Sequence, residues 1–108
     1  MSLNEQQKIK RNLRNTKAWK QLRHNKNVEQ GGIDPITCGK LTKTANLHHM
    51  DLDFENYTHI EDHDKFVLLN KLSHDFVHWI YKYYVKDKGV IERIVRILDK
   101  MVEINKEK

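Results

Sequence analysis

Seven histidines fall within 108 residues, and four of them form a pattern that can do metal chemistry. His74 and His78 are four residues apart on a predicted helix, so their imidazoles leave the same face. Two imidazoles at that spacing can hold one cation. A third ligand from a neighbouring strand completes a set that leaves positions open for water and substrate. The His48-His49 dipeptide, at the end of a predicted strand about 25 residues upstream, offers such a ligand. A helical His-x-x-x-His pair alone is common on ordinary surfaces; the dipeptide and the order of elements between them make the pattern selective. His59 and His63 lie in an acidic stretch and are expected to be solvated, and His24 sits on a basic helix.

The elements that must position these residues are legible from patterning. Residues 44–50 read as a short strand and residues 51–64 as a polar loop anchored by Leu52, Phe54, Tyr57 and Ile60. Residues 65–69 read as a second, apolar strand. Asn70 is a suitable N-cap for a helix that runs through His74, His78 and Trp79 to about residue 86, where Asp87-Lys88-Gly89 breaks it. Most of Trp79, Tyr81, Tyr83 and Tyr84 are expected in the core. A last helix spans about residues 90–105, with Ile91, Ile94, Val95, Leu98, Met101 and Val102 recurring at helical spacing. That stripe reads most simply as core, with dimerisation as the functional alternative. Upstream, Ser2 and Glu5 make a capping box, and one helix is expected from residue 3 to 29, packed through Trp19 and Leu22 and stopped by Gly31-Gly32. Residues 34–40 form a turn or short hairpin. The expected architecture is α+β and mostly helical, in one domain: a basic helical arm (1–30), a strand–loop–strand–helix region (33–86) and an amphipathic helix (90–105).

Two segments carry a family resemblance. Asn46-Leu47-His48-His49-Met50-Asp51, with Phe66-Val67-Leu68-Leu69-Asn70-Lys71-Leu72-Ser73-His74-Asp75-Phe76-Val77-His78, resembles the HNH motif of phage, homing and colicin-type nucleases. Trp19-Lys20-Gln21-Leu22-Arg23 resembles the helix that often precedes it, so the likeness covers roughly residues 19–79. It implies a ββα-metal finger near residues 44–86, flanked by the N-terminal basic helix and the C-terminal amphipathic helix. It also implies metal-dependent DNA endonuclease activity with one divalent ion (Mg²⁺, Mn²⁺ or Zn²⁺). Residue by residue, His48, His74 and His78 match metal ligands and His49 matches the general base. Many family members add a structural zinc on four cysteines; here Cys38 remains, and Pro35, Asn70 and Ser73 stand at the other positions. The family's central Asn, which orients the base, aligns with Lys65, beside Asp64. A lysine ammonium cannot accept a hydrogen bond from imidazole. Orientation therefore falls to Asp64 or a backbone carbonyl, or, in another register, to Asn56 or Asn70.

The chemistry suits these residue types. A neutral imidazole has its pKa near neutrality, so His49 can take a proton from water. A cation on His48, His74 and His78 relieves charge at the scissile phosphate and on the leaving oxygen. With His49 kept off the metal, a twist or bulge at the strand end is expected.

Charge points to the same substrate class. The net charge is +5, and residues 1–30 alone carry +6. Lys8, Lys10, Arg11, Arg14, Lys17, Lys20 and Arg23 are the expected phosphate contacts, with DNA as the partner. The resemblance allows phage or mobile-element DNA-processing proteins as further partners. No apolar run reaches membrane-spanning length and the N-terminus is polar, so no membrane partner is expected and a cytoplasmic location is. The lone Cys38 excludes an internal disulfide. The alternative reading is a non-catalytic nucleic-acid-binding module whose metal is structural; a third is a metal-stabilised regulatory or interaction protein. A purely structural site, however, has no need of a further imidazole at position 49.

Overall fold

A computed structural model of the chain describes residues 2–106. Helices α1 (Leu3–Arg14) and α2 (Lys17–Glu29) precede strand β1 (Asn46–His49), strand β2 (Phe66–Leu69), and helices α3 (Lys71–Tyr84) and α4 (Val90–Asn105). The protein is thus α+β and mostly helical, with one two-stranded antiparallel sheet. It forms two compact units. The first ends at His74 and the second begins at Asp75, so the boundary falls inside α3.

The N-terminal arm is two helices rather than the one expected. Thr16 makes the break: its hydroxyl donates to the Leu13 carbonyl (2.7 Å) and accepts from the Trp19 N–H (3.2 Å), ending α1 and capping α2 together. Ser2 caps α1 by accepting from the Glu5 N–H, as its sequence signature predicts. Gly31 and Gly32 stop α2 in left-handed conformations (φ 65° and 71°). Their N–H groups close onto the Val28 and Asn27 carbonyls, a Schellman pattern that a side chain would strain.

In the sheet, Asn46 pairs with Leu69, Leu47 with Leu68, His48 with Val67 and His49 with Phe66. Side chains alternate across it. One face carries Leu47, His49, Phe66 and Leu68; Phe66 packs there with Trp19 and Leu22 of α2 and with Tyr57 from the loop between the strands. Each such side chain, taken from water, contributes about 1.5–3 kcal/mol. Trp19 stacks on Tyr57 and meets Phe66 edge-on (centroids 5.7 and 5.8 Å). The outer edge of β2 is covered by one side chain. Gln30 accepts from the Leu68 N–H (2.8 Å) and donates to the Leu68 carbonyl (3.0 Å), acting as a one-residue strand.

Residues 33–40 form the expected short hairpin, closed by an Ile33–Lys40 bridge. At its tip Asp34 is fully buried. Its carboxylate accepts from the N–H groups of Ile36 (2.7 Å), Thr37 (3.2 Å) and Asn70 (2.9 Å), and from the Ser73 side chain. Asn70, just before α3, accepts from the Thr42 N–H and donates to the Lys40 carbonyl. The hairpin and the β2–α3 junction are therefore joined by hydrogen bonds to one buried carboxylate and one amide.

In the second unit Asp87 accepts from the Gly89 N–H and pairs with Arg93, turning the chain into α4. None of its described side chains is buried, so neither the α4 stripe nor the Trp79–Tyr84 aromatics form the core expected of them. Periodicity identifies a face that favours cover; it does not specify what covers it. No helix is long and apolar enough to cross a membrane among the described residues.

The Asp34 network yields a stability test. Burial alone would raise the Asp34 pKa; the Asn70, Ile36, Ser73 and Thr37 donors outweigh it and hold the carboxyl below its ordinary value of 3.8. Its contribution is then fully present at neutral pH and is lost as pH falls from about 4 through the lower folded-state value. Asp34→Ala, which strands several buried donors, should destabilise the first unit by about 3–5 kcal/mol at pH 7. In denaturant titrations across pH, the gap between wild type and Asp34→Asn should narrow on acidification. A gap independent of pH would show that the carboxylate charge contributes nothing.

Candidate metal centre

His48 leaves β1 on the face opposite Phe66 and turns towards α3. Its ring is buried and meets His74 edge-on, with centroids 5.2 Å apart. His74 is half-buried and His78, one turn later, is exposed. Ligand atoms of the three imidazoles all lie within 4.8 Å of one another.

That arrangement fits a metal ion on two grounds. Donors at Zn–N distances of about 2.0–2.1 Å lie roughly 3.4 Å apart in a tetrahedron, so small side-chain rotations close the set. The gradient from buried His48 to exposed His78 leaves an open side, as in sites that keep a position for water or substrate. Three neutral imidazoles suit Zn²⁺ and similar transition ions better than Mg²⁺, which prefers oxygen.

His49 goes the other way. It stacks on Phe66 (centroids 4.4 Å, planes 6° apart) and meets Tyr57 at 5.6 Å, and both ring nitrogens are buried without a hydrogen-bond partner. Burial pushes its pKa below the ordinary 6.5; Lys65 and Lys10 act in the same direction, against Asp51 and Asp62. The expected strand-end bulge is not there: pairing stays regular through His49–Phe66 and on to Met50 N–H donating to the Lys65 carbonyl. Regular alternation alone keeps His49 away from the His48 side.

No orienting group of the kind expected bonds the His49 ring. Lys65 is exposed, with its ammonium 3.8 Å from Asp51 and 3.7 Å from Asp62, and Asp64 is exposed in the turn before β2. Asn56 donates to Asp51, and Asn70 is committed to the 40–42 segment. Packing against Phe66 and Tyr57 fixes the imidazole instead. His59, paired with Glu61, and His63 are exposed, as is His24.

The basic residues divide by environment. Lys8, Arg11, Lys17 and Lys20 are exposed. Lys10 lies over the Tyr57 and Phe54 rings (4.7 and 5.9 Å), and the Arg14 guanidinium donates to the Tyr57 hydroxyl. Lys26 is buried beside Glu29 and takes no part in a phosphate-facing surface. Arg23 donates to the carbonyls of Lys43 and Ala45 and so fixes the approach to β1. Sequence reasoning missed Lys43. It joins Arg14, Lys20, Arg23 and Asn46 in lining a groove that His74 also lines. A lone lysine before a strand carries no sequence signal of that placement.

Calorimetric titration with Zn²⁺ should show one ion per chain. Alanine at His48, His74 or His78 should each weaken binding by more than the roughly 10–100-fold typical of losing an outer-shell partner. His59→Ala should leave binding unchanged; equal losses in all four variants would dissolve the site. No family model, curated protein or solved structure matches this chain, so the case for its chemistry rests on its own residues.

Proposed function

We propose that this chain is a metal-dependent DNA endonuclease of the HNH type, built on a ββα-metal finger. The observation that carries the reading is the convergence of a strand histidine and an i, i+4 helix pair on one open-sided cluster, with a further imidazole next in sequence. A divalent ion bound there would supply Lewis-acid charge relief at a phosphodiester and its leaving oxygen.

The chain's own residues account for the rest. His48, His74 and His78 would hold the ion, and the open side past His78 admits substrate. His49, kept off that cluster by strand alternation, has an imidazole whose protonated form burial disfavours, as a proton acceptor requires, with no competing hydrogen bond. In this reading, substrate binding brings a water to one of its buried nitrogens and the ring takes that water's proton. Phe66 and Tyr57 hold the ring in place. Exposed Lys8, Arg11, Lys17 and Lys20 supply sequence-independent attraction to the phosphate backbone.

One observation favours the second reading, a non-catalytic nucleic-acid-binding module with a structural metal. The His49 ring is stacked and enclosed as an apolar side chain would be. His49→Phe separates the two, because it keeps the stacking and removes the proton acceptor. Supercoiled plasmid with Zn²⁺, Mn²⁺ or Mg²⁺ should be cut by the wild type. His49→Phe should cut about 10²–10⁴ times more slowly with metal and DNA binding retained. Wild-type rates from His49→Phe would remove His49 from the chemistry, and an uncut plasmid with every metal would leave the binding-module reading.

A further inference from the structure

We propose that the groove between α2 and the segment leading into β1 binds the sugar-phosphate backbone of a nucleic acid, with Lys43 and Lys20 gripping phosphates next to the one at the histidine centre. The placement beside a scissile phosphate rests on the endonuclease reading; the backbone-binding groove does not.

Four cationic side chains, Arg14, Lys20, Arg23 and Lys43, line this groove, and no carboxylate among the described residues does. They differ in duty. Arg23 donates to two backbone carbonyls and is a fixed element of the wall, while the exposed Arg14 donates to the Tyr57 hydroxyl at 3.4 Å. Arg23 grips the carbonyl of Lys43 itself and thereby holds that residue's backbone at the rim. Lys20 and Lys43 are exposed, and neither has an ion-pair partner among the described residues. Two guanidinium groups with two unpaired ammonium groups suit a polyanion with several charged groups along its length.

The groove's lower surface narrows the class of polyanion. Trp19, Ala45 and Leu47 line it beside the cations, giving apolar surface for a sugar between charges. His74, whose ring belongs to the three-imidazole cluster, lines the same groove. A strand lying in the groove therefore lies against two phosphate-binding lysines and against a residue of the candidate metal cluster. The exposed Lys8, Arg11 and Lys17 do not line this path. In this scheme they add only general attraction.

The test is binding of a labelled DNA duplex by the full chain, in chelator, over a series of salt concentrations. Each phosphate contact contributes a log–log slope of about 0.9. Lys20→Ala with Lys43→Ala should reduce the slope by about 1.8 and raise the KM for plasmid without changing kcat. Lys20→Arg with Lys43→Arg should restore both. Lys86→Ala with Lys88→Ala, exposed lysines outside the proposed binding surface, should leave KM close to wild type. All four exposed side chains can be removed without uncovering the core, and an unchanged melting temperature and Zn²⁺ stoichiometry check this. If wild type cuts plasmid and the Lys20/Lys43 double variant keeps its slope and KM, the groove is refuted and the nuclease reading stands. If wild type cuts nothing but the double variant loses slope, the groove stands as a binding site and the nuclease reading falls.

Discussion

A single buried carboxylate joins the parts of the first unit that are far apart in sequence. Asp34 has no exposed surface and collects donors from its own hairpin and from the start of α3. A buried charge is tolerated only when hydrogen bonds replace its hydration, and each donor here does so. Because two of those donors belong to Asn70 and Ser73, the first turn of α3 is held to the hairpin. His74 lies one residue beyond Ser73, so the same bonds set where the candidate metal ligands stand. Cys38 is exposed with a left-handed backbone (φ 59°), and the carboxylate makes the tie.

Around that junction, side chains substitute for missing backbone partners. Gln30 pairs with Leu68 as a neighbouring strand would, and so links the end of α2 to the middle of β2. Arg23 does the same for the carbonyls of Lys43 and Ala45. A two-stranded sheet is marginal in water unless packing supports it. These bonds, with Trp19, Leu22 and Tyr57 against Phe66, supply that support. The sheet in turn sorts the His48-His49 dipeptide. His48 leaves on the α3 side, and His49 enters the aromatic cluster. The division between a candidate metal ligand and an unpartnered imidazole is a consequence of period-2 alternation, with no special backbone geometry.

Legibility varied with the range of the forces involved. The capping box at Ser2, the glycine stop after α2, both strands and the start of α3 follow from local rules, and the sequence patterns place them within a residue or two. The break at Thr16 is local as well; a hydroxyl residue after Asn15 was its signal, outweighed by the continuous basic pattern around it. The apolar stripe of α4 and the aromatics of α3 are different. Their spacing is helical and their helices form, yet no described side chain in that unit is buried. Amphipathicity reports a preference for cover, and burial depends on a partner surface that no local pattern contains.

By itself the sequence determined the helix pair His74–His78, the strand carrying His48 and His49, and the excess of positive charge near the N-terminus. These depend on spacing along the chain, which fixes direction within a helix or strand. Only the tertiary structure decided that His48 meets His74, that His49 stacks on Phe66, that Asp34 is a buried anchor and that Lys43 stands beside Lys20 in a groove. Each joins residues more than twenty positions apart or depends on an environment built from several segments. Helical and strand periods specify which residues share a face. Which faces meet is settled by packing and by the hydrogen bonds that buried polar groups must find.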